Sequence, residues 1–131
     1  MANDTYFNLR TNLLDTKLHI KNQGNMHYNV SIEDTIEVVD IFEKEIALKV
    51  IRKLNFNPSD EMELEVTFMA SIQTKYDVKK DEFEADVKAG LPILNNVFSR
   101  IALTIGNMTS QSILGPMLTI PAYNMKEIIV K

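Results

Sequence analysis

The sequence predicts an α+β fold, a four-stranded antiparallel sheet with a long helix packed on one face. Three observations carry that prediction. Residues 5–76 alternate apolar and polar side chains, the two-residue period of half-buried strands. From residue 79 onward the alternation stops, and a stretch starting at Leu91 repeats apolar residues at helical spacing. Strands in one half and helix in the other keep the two kinds of element apart, which is the α+β pattern.

Tyr6 to Leu14 and Lys17 to Ile20 both carry apolar positions, with Asp15-Thr16 between them. This reads as one bent or bulged strand, or as two short ones. Gln23-Gly24-Asn25 is a break. Beyond it, Tyr28, Val30, Ile32, Ile36 and Val38 share one strand face, and only Asp34 interrupts them. His27, Asn29, Ser31, Glu33, Thr35 and Glu37 form the polar face. Phe42, Ile46, Leu48, Val50, Leu54 and Phe56 continue the pattern in a third strand, interrupted by Lys44 and Arg52. Asn57-Pro58-Ser59-Asp60 is turn chemistry, so residues 43–56 and 61–74 form a hairpin. In its second arm, Met62, Leu64, Val66, Phe68, Ala70 and Ile72 oppose Glu63, Glu65, Thr67, Ser71 and Gln73. One face of each strand is thus apolar and the other wet.

Phe83 and Val87 lie one helical turn apart in the charged run Asp77 to Ala89. Gly90 interrupts that helix, and Pro92 suits the first turn of another. Leu91, Leu94, Val97, Phe98, Ile101, Ala102 and Ile105 then make an apolar stripe, with Gly106-Asn107 as its stop signal. Residues 108–124 read as a long loop, and Tyr123 to Lys131 as a short closing helix or strand.

The 131 residues fit one domain, residues 1–131. With no cysteine, disulfides, thiol catalysis and zinc-finger chemistry are excluded. The net charge of −4 argues against a nucleic-acid partner. No apolar run is long enough to span a membrane, and the first residues lack a signal-peptide pattern, so the expected location is cytoplasmic. The two histidines, His19 and His27, occupy polar strand positions without the carboxylate spacing of a metal site. Ser110 and Ser112 have no nucleophile-elbow motif around them, and the glycines form no phosphate loop. No enzyme, no cofactor and no metal are therefore expected. Two features stand out. One is an acidic strand face, Glu33, Glu37, Glu43, Glu45, Glu63 and Glu65, which Lys49 and Lys53 balance only in part. The other is the apolar loop with Ile113, Leu114, Met117, Leu118, Ile120 and Tyr123, which needs cover from the sheet, another subunit or a ligand.

The order of elements, and two motifs, resemble the SecB family of export chaperones. Leu94-Asn-Asn-Val-Phe98-Ser99-Arg100 is similar to that family's Ile-Leu-Phe-Pro-Tyr-Ala-Arg segment, with Leu94, Phe98, Ser99 and Arg100 at the matching positions. Gly115-Pro116-Met117-Leu118-Thr119-Ile120-Pro121 is similar to its Pro-x-Leu-x-Leu-Ala-Pro loop. The chain resembles a divergent, tail-less member. The resemblance implies a homodimer or homotetramer that binds unfolded polypeptide in apolar grooves without ATP. Phe42, Phe56, Tyr76, Phe83, Leu91, Met117, Leu118 and Tyr123 lie at strand edges or in the helix-to-loop region, where a groove could open, and are the expected polypeptide or subunit contacts. From the acidic strand face, Glu43, Glu45, Glu63 and Glu65 are the expected docking face for a partner, an export motor or a dedicated protein. The alternative is a non-catalytic structural or assembly protein, or one associated with a toxin–antitoxin system, that binds a dedicated partner.

Overall fold

The computed structural model describes residues 2–20, 29–57, 62–111 and 115–131. The expected turns at residues 23–25 and 58–60, together with His27, Tyr28, Ser112, Ile113 and Leu114, lie outside the described residues.

A single helical turn, α1 (Ala2–Thr5), leads into β1 (Tyr6–Ile20). Then come β2 (Asn29–Phe42), β3 (Glu45–Asn57) and β4 (Met62–Thr74). Two helices follow, α2 (Lys80–Ala89) and α3 (Asn95–Thr109), joined through a 3₁₀ turn at Pro92–Leu94. A two-residue strand, β5 (Ile129–Val130), ends the order. The sheet runs β1-β4-β3-β2-β5. Four strands pair antiparallel, as the alternation predicts. The expectation of four strands alone is corrected: β5 adds a fifth, parallel to β2 at Thr35↔Ile129 and Ile36↔Val130. Two paired residues are too few to leave a periodic signal in sequence.

The core lies between the sheet and the helices. Ile46, Leu48, Val50 and Leu54 of β3 and Leu64, Val66 and Ile72 of β4 are fully or almost fully buried. Val97, Phe98, Ile101 and Ile105 of α3 close over them, and α3 lies against β4 and β1. Fully burying side chains of this size stabilises the fold by roughly 1.5–3 kcal/mol each.

Local expectations are refined in four places. β1 is one strand, with register irregularities at Phe7/Arg10 and Leu13/Asp15. Asn8 adopts φ 57°, and its side-chain amide donates to Gln73 Oε1 at 2.8 Å. β2 runs on through Phe42, so the hairpin turn falls at Glu43-Lys44 and Phe42 belongs to β2, not β3. The register shifts between Val38 and Asp40, and this bulge reverses which side chains point inward. Ile41 therefore pairs with buried Ile46, and Phe42 faces outward, 69% exposed. Lastly, α3 does not stop at Gly106 but continues to Thr109. A glycine inside a helix costs only about 1 kcal/mol. Ile105 and Thr109, both fully buried, more than offset it.

Candidate functional site: a strap across the open edge of the sheet

The two polar interruptions of the apolar strand faces, Asp34 on β2 and Arg52 on β3, are direct register partners. Burying either alone is unfavourable, so each is placed where the other neutralises it. Arg52 Nε donates to Asp34 Oδ1 at 2.8 Å and Nη2 to Oδ2 at 3.0 Å, a bidentate pair in the core. The guanidinium also stacks 5.4 Å from the centroid of the Phe98 ring.

The other donors of Arg52 reach out of the sheet to the chain returning from α3. Nη1 donates to Thr119 Oγ1 at 3.0 Å and to the Ile120 carbonyl, and Nη2 donates to the Ala122 carbonyl at 2.9 Å. All five guanidinium N–H groups thus have acceptors. The segment they fasten, residues 115–131, is a strap. Its upstream end is fixed by buried Thr109, whose Oγ1 accepts the Met117 N–H at 2.7 Å. In its middle, the Tyr123 hydroxyl accepts the Leu91 N–H at 2.8 Å and donates to the Val87 carbonyl at 2.6 Å. Burial raises the Tyr123 phenol above its usual pKa, and the Leu91 N–H lowers it in part. A second buried phenol, Tyr6, donates to Asp86 Oδ2 at 2.5 Å and ties β1 to α2. Burial, then the Asp86 carboxylate, push it far above the ordinary tyrosine range.

The strap turns Tyr123 and Ile128 into the core and leaves other apolar side chains outside. Leu118 is 91% exposed, and Ile120 and Met125 are exposed as well. A cleft lies on each side of it. One, of about 240 Å³, is lined by Val30, Ile32, Ile120 and Ile128, with Asp34, Asn124 and Glu127. The other, of about 230 Å³, is lined by Gly90, Leu91, Pro92, Asn95, Tyr123 and Met125. Gly90 has φ 108°, and a Cβ there would sit 2.8 Å from the Met125 sulfur. A third, larger cavity of about 750 Å³ opens between β1 and α3 and is lined mainly by polar groups, among them Arg10, Asn96, Ser99 and Arg100.

β5 covers only part of the β2 edge. It pairs at Thr35 and Ile36, and Lys131 extends the ladder: its N–H donates to the Ile36 carbonyl at 2.8 Å and its carbonyl accepts the Val38 N–H at 2.9 Å. Among the described residues no strand pairs with Asn29–Glu33 on that side. The uncovered stretch borders the 240 Å³ cleft.

Of the eight expected contact residues, Leu91 and Tyr123 come together as walls of one cleft. Met117 is half-buried at the start of the strap, and Leu118 is its most exposed side chain. Phe42 and Tyr76 are exposed at one end of the sheet, where the Thr74 N–H donates to the Lys44 carbonyl. The Tyr76 hydroxyl bonds Thr5 Oγ1 at 3.1 Å. Phe56 and Phe83 are core residues, and Phe83 packs edge-on against Tyr6 with ring centroids 5.9 Å apart.

Of the acidic set, Glu43 sits in the hairpin turn, and Glu45 stands opposite Phe42 and Gln73. Glu63 stands opposite His19. Glu65 lies between Lys17 and Lys53 and pairs with the Lys17 ammonium at 3.5 Å. Glu33 and Glu37 face Lys53 and Lys49 across β2 and β3. The outer face is therefore of mixed sign, more so than a list of its glutamates conveys. Among the described residues, no group of three or more His, Cys, Asp or Glu is placed to hold a metal ion. None of the described helices is long and apolar enough to cross a membrane.

No family model matches the sequence. No curated protein matches it either. Among solved structures, a protein of unknown function from Streptococcus agalactiae aligns with a TM-score of 0.42 and 13% identity, covering 86% of this chain and 96% of that one. The SecB-like chaperone Rv1957 of Mycobacterium tuberculosis, in complex with a ChAD peptide from the HigA1 antitoxin, aligns with a TM-score of 0.66 and 15% identity. That alignment covers 91% of this chain and 88% of the chaperone. The fold of this chain is accordingly SecB-like, a mixed α+β arrangement of a five-stranded, mostly antiparallel sheet and one long helix.

Proposed function

We propose that this is a non-catalytic, ATP-independent chaperone or adaptor of the cytoplasm, which holds extended, unfolded polypeptide against the β2 edge and the clefts beside the strap. The observation that carries this reading is the uncovered stretch Asn29–Glu33 bordering the apolar walls of Val30, Ile32, Ile120 and Ile128. An unfolded segment supplies both things such a place lacks: backbone groups for the ladder, and alternate apolar side chains for the cleft. Main-chain pairing is indifferent to sequence, and shallow apolar walls accept many shapes, so many clients fit. The peptide bound to the SecB-like chaperone of similar fold supports the same class of ligand.

Within this reading Met117 and Leu118 are the primary contacts, and Leu91 and Tyr123 form the buried floor of a cleft beside the strap. Phe42 and Tyr76 serve a longer client at the other end of the sheet. Phe56 and Phe83 contribute only if the layers part. A homodimer or homotetramer multiplies weak sites into avidity. Glu43, Glu45, Glu63 and Glu65 form the docking face for a second protein, an export motor or a dedicated partner. A narrower second reading, an adaptor for one antitoxin-like partner, is favoured by the origin of the neighbour's peptide.

A fluorescence titration tests the proposal. The protein is added to one labelled polypeptide, held unfolded or allowed to fold. Saturable binding to the unfolded form alone is expected. Binding to neither form would overturn the chaperone reading and leave the dedicated-partner one.

A further inference from the structure

We propose that the strap's last residues, 124–131, are a self-ligand: β5 occupies part of the client's own path along the β2 edge, and a bound polypeptide displaces it. The inference rests on the polypeptide-binding reading and adds a regulation to it.

The edge is one continuous ladder. Ile36 and Val38 present their backbone groups to Lys131. By the two-residue period of a strand, Asp34, Ile32 and Val30 turn theirs the same way. A client strand laid on Asn29–Glu33 and extended along β2 meets β5 at Thr35. Residues 128–131 also look like a client, an extended apolar Ile-Ile-Val followed by a lysine.

β5 is weakly held. It pairs with β2 through two residues, extended only by the two backbone hydrogen bonds of Lys131, and in parallel, the less stable geometry. Ile129 is exposed, and only Ile128 and partly Val130 pack into the core. A client's apolar side chains can refill those positions, so the exchange replaces like with like. Among the described residues, the strap's side-chain hydrogen bonds to the body of the molecule end at Tyr123: Arg52 fastens Thr119, Ile120 and Ala122, and Tyr123 is bound to Val87 and Leu91. Beyond it, Asn124 builds a turn of its own, accepting the Lys126 N–H on its side chain and the Glu127 and Ile128 N–H groups on its carbonyl. Residues 124–131 can therefore pivot as a unit while the pinned part keeps the clefts in place.

The test uses the absence of cysteine from the chain. Thr35 and Ile129 are register partners, so Thr35→Cys with Ile129→Cys places a single thiol pair across the contact. The probe is labelled, reduced and carboxymethylated lactalbumin, a permanently unfolded polypeptide. The reduced variant should bind it like the wild type, and the oxidised variant at least about tenfold more weakly, because the competent state is locked out. A second variant acts in the opposite sense. Lys131→Pro removes the N–H given to Ile36, and should bind about threefold more tightly than Lys131→Ala, since a larger fraction of molecules has the edge free. Equal affinities of the oxidised and reduced forms, or of Lys131→Pro and Lys131→Ala, overturn the self-ligand and leave the chaperone reading standing. A wild type that does not bind the probe overturns both. Should the cysteine variant fail to fold, the lysine variants decide.

Discussion

Asp34 and Arg52 interrupt two apolar strand faces, and the sequence contains the clue that they belong together. Each is the single inward polar residue of its strand's central stretch, and their positions match once β2 and β3 are paired. Sequence alone does not show that three of the five guanidinium donors serve the returning chain, because Thr119, Ile120 and Ala122 lie far away in a stretch without periodicity. Arg52→Met leaves the Asp34 carboxylate buried and unpaired, and should cost about 3–5 kcal/mol in urea denaturation. The double variant Asp34→Val with Arg52→Met removes the orphaned charge and should recover much of that loss, while backbone amides in residues 117–123 exchange faster with solvent. A double variant no more stable than Arg52→Met would show that the pair is not the source of the loss. The buried phenols give a second prediction. Their folded pKa values are raised, so they stay protonated in the native state at pH values where the unfolded chain has released its protons. Their contribution is complete below about pH 10, the unfolded value, and is lost as pH rises beyond it. Between the unfolded and the folded pKa of each phenol the loss approaches about 1.4 kcal/mol per pH unit. Tyr6→Phe and Tyr123→Phe should each flatten the alkaline fall of a stability–pH curve. An unchanged slope in both would refute the assignment.

At the scale of elements, the long strands and the main helix were legible because each buries one face along most of its length. The alternation of β3 and β4 and the stripe of α3 follow from that burial. What escaped detection was geometry without composition. The turn between β2 and β3 is Glu43-Lys44, with no glycine, proline or asparagine to mark it. Glu43 has φ 56°, positive at the first central position of the turn only, the pattern of a II′ hairpin, where glycine is the preferred residue. The bulge at Val39 is likewise silent, and it sends Phe42 outward where simple alternation sends it inward. The clefts were legible in part: Leu91 and Tyr123 stood out as apolar residues near the helix-to-loop region, whereas Val30, Ile32 and Ile128 reach their cleft only because the strap crosses the sheet. A left-handed conformation costs a non-glycine residue roughly 1–2 kcal/mol. Glu43→Gly should therefore raise the unfolding free energy, by up to about 1 kcal/mol once the added freedom of the unfolded glycine is subtracted. Gly90 is the converse case. Its φ of 108° and the nearby Met125 sulfur make Gly90→Ala destabilising. A melting experiment on the two variants should move the midpoints in opposite directions, and a shared direction would contradict the backbone argument.

Among the described residues, two exposed apolar surfaces lie apart from each other and from the sheet end that carries Phe42 and Tyr76. One is the strap, with Leu118, Ile120 and Met125 outward. The other runs along β1 and α3, where Leu103 is exposed in the wall of the 750 Å³ cavity and Leu13 and Leu14 are exposed further along β1. β1 is also an edge strand, paired only with β4 among the described residues. An edge of 15 residues with exposed leucines invites association unless it is covered. The expectation of a homo-oligomer therefore belongs to this surface, and that of polypeptide binding to the strap. The two are separable by mutation, because both sets of side chains already lie in solvent and their replacement leaves the core intact. Leu103→Glu places a charge on the exposed face of α3 and should shift sedimentation toward the 15.0 kDa protomer, while the affinity of a single site for unfolded polypeptide persists. Leu118→Ser should leave sedimentation and the melting temperature unchanged and weaken polypeptide binding about threefold to tenfold, the effect of truncating one exposed apolar contact of about 1 kcal/mol. A wild type that already sediments as a protomer sinks the homo-oligomer. If instead Leu118→Ser disrupts assembly and Leu103→Glu disrupts polypeptide binding, the two surfaces have been assigned the wrong way round, and the strap is the subunit interface.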